Sequence, residues 1–74
     1  MENLLQRITF DQRILHGKPV IRSLHISIDM ILELLAKGAS GQEILEDYPE
    51  LEPEDIQAAL SYAQHLVAGE VVIV

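Results

Sequence analysis

The period of apolar positions changes along this chain, and each change marks an element. Ile8 and Phe10 alternate with Arg7 and Thr9, the two-residue period of a half-buried strand. Phe10-Asp11-Gln12-Arg13 follows as a turn in which Asp11 can bond its own backbone. Ile14-Leu15 and Val20-Ile21 then flank His16-Gly17-Lys18-Pro19, a second turn where Gly17 supplies a positive φ. Residues 7–22 are expected to form a small irregular β-element, and residues 1–5, which carry no periodic signal, a frayed end.

From Ile28 the period lengthens to that of a helix. Ser27 is placed to cap it, and Ile28, Met30, Ile31, Leu32, Leu34 and Leu35 cover a wide apolar arc. Asp29, Glu33 and Lys37 form the narrow polar stripe, with Glu33 and Lys37 in the favoured pairing order. Gly38 ends this helix, expected over 28–37. Ser40-Gly41-Gln42-Glu43 is a capping box opening a second helix, 41–48, which Pro49 stops. Pro53 suits the first position of a third helix, 53–67, with Glu54 and Asp55 at the positive end of its dipole. Ile56, Ala59, Leu60, Ala63 and Val67 share a face at 3.6-residue spacing, so Leu60 is expected in the core, where an aspartate would unfold the domain. Glu70-Val71-Val72-Ile73-Val74 reads as a terminal strand. The pattern predicts one mainly α domain over residues 1–74: a three-helix, helix-turn-helix-like bundle preceded by a short β-hairpin and followed by a C-terminal strand.

Charge alters what that shape suggests. The helix-turn-helix outline invites DNA binding, yet no Lys or Arg occurs from Gly38 to Val74, and a helix lying among phosphates needs them. The net charge of −7 is uneven: residues 1–22 balance at +2, whereas from residue 23 onward Lys37 stands against ten acids. Arg7, Arg13, Lys18 and Arg22 form the one candidate nucleic-acid contact, a weak one that a dimer would double. The alternative is that these cations balance acids elsewhere in the fold. An acidic surface repels nucleic acid and attracts basic proteins. A 74-residue chain that is 49% apolar also has more apolar surface than so small a core needs, which points to a second chain.

The chain is not expected to be an enzyme. His16, His25 and His65 lack metal-ligand spacing and there is no cysteine, so no metal or other cofactor is expected. The carboxylates between Glu43 and Asp55 lie at turns and helix starts, where acids serve solubility and the dipole. Pro19 interrupts any phosphate loop at Gly17-Lys18. Without a membrane-length apolar run or a signal-peptide core, a cytoplasmic location is expected.

Gly17-Lys18-Pro19-Val20-Ile21-Arg22 followed by Ile26-Ser27-Ile28 resembles the leading signature of the family called domain of unknown function 433. The later series Gly38-Ala39-Ser40, Glu43-Ile44, Tyr48-Pro49, Leu51, Asp55-Ile56, Ala58-Ala59-Leu60 and Tyr62-Ala63 is similar to the rest of it. One departure stands out: Ser23-Leu24-His25 occupies the place of the usual Gly-Thr-Arg. The resemblance implies a homeodomain-like three-helix fold and an antitoxin-like role, neutralising a PIN-like ribonuclease toxin by direct binding. The other reading is a dimeric DNA-binding regulator using the basic N-terminal element. For partner binding, including a homodimer or higher assembly, the expected surface is Met30 and Leu34 with Val71, Val72, Ile73 and Val74 added as a strand to another chain. The competing expectation is that this tail joins the domain's own sheet.

Overall fold

The computed structural model describes residues 3–69. Its β-element is short and antiparallel: β1 (Ile8–Thr9) pairs with β2 (Val20–Ile21) in the register Ile8↔Ile21 and Thr9↔Val20. On its other edge β2 meets the segment leading into the helices, through the Ile21 N–H to Ile26 O and the Ile28 N–H to Pro19 O. The Asp11 turn forms as expected, its carboxylate accepting from the Arg13 N–H at 2.9 Å. Gly17 takes the expected positive φ, and Leu15 and His16 share that conformation.

The start of the chain is better tied down than its sequence suggests. Leu4–Arg7 makes a 3-10 turn, with the Asn3 side chain accepting the Leu5 N–H, and Leu4 and Leu5 pack against the core. Apolar side chains at two adjacent positions have no helical or strand period, so this segment carried no readable signal.

Three helices follow: α1 (Ile28–Ala36), α2 (Gly41–Asp47) and α3 (Pro53–Val67). Their starts obey local chemistry. Ser27 Oγ accepts the Met30 N–H at 3.0 Å, and both bonds of the Ser40–Glu43 capping box form at 3.1 Å. Gly38, at φ +99°, turns the chain out of α1. The fold is mainly helical, with a two-stranded antiparallel sheet before three helices. The expected strand at 70–74 lies outside the described residues.

Isoleucine dominates the core: Ile8 and Ile21 from the sheet meet Ile28 and Ile31 of α1 and Ile44 of α2. Ala58 and Ala59, both fully buried, let α3 approach closely. Here the expected face of α3 needs correction. Leu60 is 49% exposed, while Asp55, Ile56, Ala58 and Ala59 are buried. The helix is rotated by about one position from the face drawn through its largest apolar residues. The physical reason is Asp55, which must point inward to meet two arginines.

Between β2 and Ile26 the chain turns at Arg22 (φ +43°) and Ser23 (φ +60°), closed by a 2.7 Å bond from the Leu24 N–H to Ile21 O. Positive φ at both central residues is the signature of a type I′ hairpin turn. Ser23 occupies the position where the resembled family carries glycine, the residue this conformation favours.

Two outcomes follow from this geometry. Ser23→Gly removes a left-handed non-glycine residue and should stabilise the domain by about 1 kcal/mol, read from urea denaturation. Leu60→Asp should leave a cooperative melt within about 1 kcal/mol of the parent, whereas Ala59→Asp should abolish it.

Candidate functional site: a buried charge cluster beside an acidic surface and an apolar groove

Asp55 sits in the first turn of α3 with no solvent exposure, and four donors fill both of its oxygens. Oδ1 accepts from Arg7 Nη1 at 2.9 Å and Arg22 Nε at 3.2 Å. Oδ2 accepts from Arg22 Nη2 at 2.8 Å and the Glu52 N–H at 2.8 Å. Arg22 thus grips the carboxylate with a two-pronged fork, and the Glu52 bond caps α3. Arg7 Nη1 also reaches Glu52 Oε1 at 2.7 Å, and Arg22 Nη2 donates to the Glu50 carbonyl at 2.8 Å.

The β-element brings the two arginines together. The Arg22 N–H donates to Arg7 O at 2.7 Å, which continues the β1–β2 register by one pair and sets these residues opposite each other. Like charges directly across a ladder repel. The buried carboxylate between them turns that liability into a three-way tie joining the N-terminal turn, the end of β2 and the start of α3.

Burial by itself pushes the Asp55 carboxyl upward. The bonds from Arg22, the Glu52 N–H and Arg7 outweigh it, and the group is held below the ordinary aspartate value. Arg22 is raised in turn, chiefly by its bond to Asp55.

The remaining cations are also taken up. Arg13 pairs with Asp11 at 2.9 Å, Lys37 with Glu33 at 2.8 Å, and Lys18 lies 3.9 Å from Asp29. The four candidate nucleic-acid residues therefore separate into two kinds. Arg7 and Arg22 converge on Asp55, while Arg13 and Lys18 stay exposed beside acids of their own. Among the described residues, Glu46, Asp47, Glu50 and Glu54 have no cation partner within ion-pair distance. The corner between α2 and α3 is consequently a strip of uncompensated negative charge.

An apolar groove of about 300 Å³ opens elsewhere, between α1 and the second half of α3. Ile28 and Leu32 line it from α1, Tyr62, Ala63 and Leu66 from α3, and Pro19 also borders it. Asp29 and Val67 complete its rim. Phe10 stacks at a tilt against Tyr62, with ring centres 6.4 Å apart, and is itself half exposed. Met30 and Leu34, expected to edge the exposed apolar surface, are half-buried against the core. At 100° per residue they lie on the opposite flank of α1 from Leu32, so the groove opens away from them. Val71, Val72, Ile73 and Val74 lie outside the described residues.

Sequence reasoning placed Asp55 among solvated dipole acids and so missed the cluster. The signal was there in the spacing: Asp55, Ala58, Ala59, Tyr62 and Ala63 share one helical face, and a carboxylate on such a face needs a cation. The three histidines do not converge. His65 Nδ1 lies 2.7 Å from Ser61 O, and among the described residues no group of three or more His, Cys, Asp or Glu could hold a metal ion. No helix of the described residues is long and apolar enough to cross a membrane.

These features define a small, mainly helical module that consumes its positive charge internally and presents acid and apolar surface outward. Residues 8–63 match the family described as protein of unknown function (DUF433), and the chain belongs to that family. The match takes in Arg22 and Asp55; Arg7 lies just before it. No curated protein and no solved structure matches the chain.

Removing Asp55 should be costly, because it strands two arginines together. Asp55→Ala is expected to lower stability by about 3 kcal/mol, a large part of what so small a domain has. The pH dependence has a definite sign. The folded carboxyl is depressed, so its stabilisation is complete above the unfolded value of about 3.9 and is lost as pH falls through the lower folded value. Denaturation of the parent and Asp55→Asn should therefore differ by a constant amount from pH 8 to pH 5, and the gap should shrink below about pH 4.

Proposed function

We propose that the protein is an antitoxin-like binding module that neutralises a PIN-like ribonuclease by covering its RNA-binding surface. The observation that carries this reading is the charge distribution. Each of the five Lys and Arg residues lies within ion-pair distance of an acid, whereas Glu46, Asp47, Glu50 and Glu54 have no such partner among the described residues. A nuclease surface that holds RNA is basic, and an exposed acidic strip is its electrostatic complement. Exposed Phe10, Leu60 and Leu66 supply apolar area elsewhere on the surface. The family resemblance supplies the kind of partner.

The same observation weighs against a dimeric DNA-binding regulator. Two of the four cations that reading requires, Arg7 and Arg22, are tied to Asp55 and hold the fold together. Freeing them for phosphates would strand a buried carboxylate.

The test pairs the full chain with a PIN-like nuclease, sought first among the neighbouring genes. Added in equal amount, the chain should stop RNA cleavage. The double substitution Glu50→Lys with Glu54→Lys should weaken inhibition about tenfold or more at low salt, and less at high salt. A gel shift with the chain alone should show no DNA complex at physiological salt, and solution mass measured on the same samples reports any homodimer. Absence of inhibition, together with a DNA complex lost on Arg13→Ala and Lys18→Ala, would overturn the reading in favour of the regulator.

A further inference from the structure

We propose that the apolar groove between α1 and α3 is the contact face of a two-fold dimer of this chain. The groove suits a protein surface better than a small polar ligand. Asp29 and the Tyr62 hydroxyl are its polar side-chain groups, too few to orient such a molecule. The apolar surface also runs past the groove on either side. Leu60, half exposed, lies two turns before Val67 on the same stripe of α3, and half-exposed Phe10 leans on Tyr62.

Charge selects the occupant. The chain carries a net charge of −7, so two copies meet at least cost where their acids are absent or matched. The groove is that place. From Ile56 to Val67, α3 has no Asp, Glu, Lys or Arg. On the α1 side Asp29 has Lys18 at 3.9 Å, and Glu33, one turn on, has Lys37 at 2.8 Å. The acids without a cation partner, Glu46, Asp47, Glu50 and Glu54, gather around the start of α3, whereas the groove lies along its second half. A basic partner is drawn to that corner and gains little electrostatically from a neutral groove.

Shape favours a second copy as well. A two-fold contact is isologous, so one patch must supply both the projection and the hollow that receives it. Here the two are neighbours. Leu66 and Val67 line the groove yet are 54% and 89% exposed, so they stand at its rim. Rotated about the two-fold, the same residues of each copy enter the groove of the other. Lys18 and Asp29, with side chains 62% and 74% exposed, form a loose pair that can exchange partners across the axis. If each copy gives up roughly a tenth of its 4893 Å² surface, the pair buries about 1000 Å², the low end for specific contacts. A dimer of micromolar affinity is the expectation, with both acidic corners left open to a nuclease.

The test uses the full chain alone, so its failure leaves the nuclease reading untouched. Solution mass should rise from 8.3 kDa toward twice that value between about 1 μM and about 1 mM. Over the same range the side-chain resonances of Leu32, Tyr62 and Leu66 should shift together. Added salt should tighten the dimer a few-fold by screening two like net charges, the reverse of its effect on nuclease inhibition. Val67→Glu, at a position almost fully exposed in the monomer, should keep the parent's melt and weaken the dimer at least tenfold. A single-chain mass throughout the range would overturn the proposal. So would a dimer that Val67→Glu leaves intact, or one whose concentration-dependent shifts fall on Met30 and Leu34 instead. A groove that is covered only when a basic nuclease is added belongs to that partner, and equally rules out the dimer face.

Discussion

A single carboxylate in α3 meets two arginines that the β-ladder has set side by side, and much of the domain depends on that meeting. Asp55 has no access to water, which makes its charge tolerable only while all four donors stay in place. Those donors come from three separate parts of the chain. The same contact therefore orients α3 and anchors the N-terminal turn. It also holds the strained Arg22–Ser23 turn against the helices. The isoleucine core supplies the bulk of the driving force, but apolar contact has little direction, and the charge cluster supplies the rotational register.

The cluster has a second effect, on the surface. By pairing with Arg7 and Arg22, Asp55 neutralises two cations that the N-terminal segment would otherwise show. Arg13, Lys18 and Lys37 are matched locally by Asp11, Asp29 and Glu33. The exposed excess is negative and gathers where α2 turns into α3. An outline that suggests a DNA reader thus belongs to a molecule whose Lys and Arg residues are each matched by an acid. Rotation of α3 shapes the apolar side as well. With Asp55 and Ala59 turned inward, Leu60 and Leu66 turn outward, and Tyr62 and Ala63 become a wall of the groove facing Ile28 and Leu32.

Local chemistry was the legible part of this protein. Ser27, Ser40, Gly38 and Pro53 mark helix boundaries by bonds and backbone preferences that involve only near neighbours, and each acts where its residue type predicts. The Asp11 turn and the Glu33–Lys37 pair are equally local. The alternation of Ile8 and Phe10 with Arg7 and Thr9 was enough to foresee a β-element over residues 7–22, whose pairing joins segments only a dozen residues apart. The 3-10 turn at Leu4–Arg7 went unread because its contacts are with distant parts of the chain.

The sequence by itself determined the element order, the helix caps and the acidic balance, because these follow from residue type, spacing and composition. It also determined that Asp55 shares a face with small residues, although that spacing does not name a partner. Only the tertiary structure decided which acid is buried and which cations it neutralises. It likewise decided that the open apolar groove lies beside Leu32 and Tyr62, with Met30 and Leu34 half-buried on the other flank of α1. Arg7 and Asp55 are separated by 48 positions, and Arg22 and Asp55 by 33. An ion pair across such distances leaves no periodic trace in sequence, since its geometry exists only after the β-element has folded against α3.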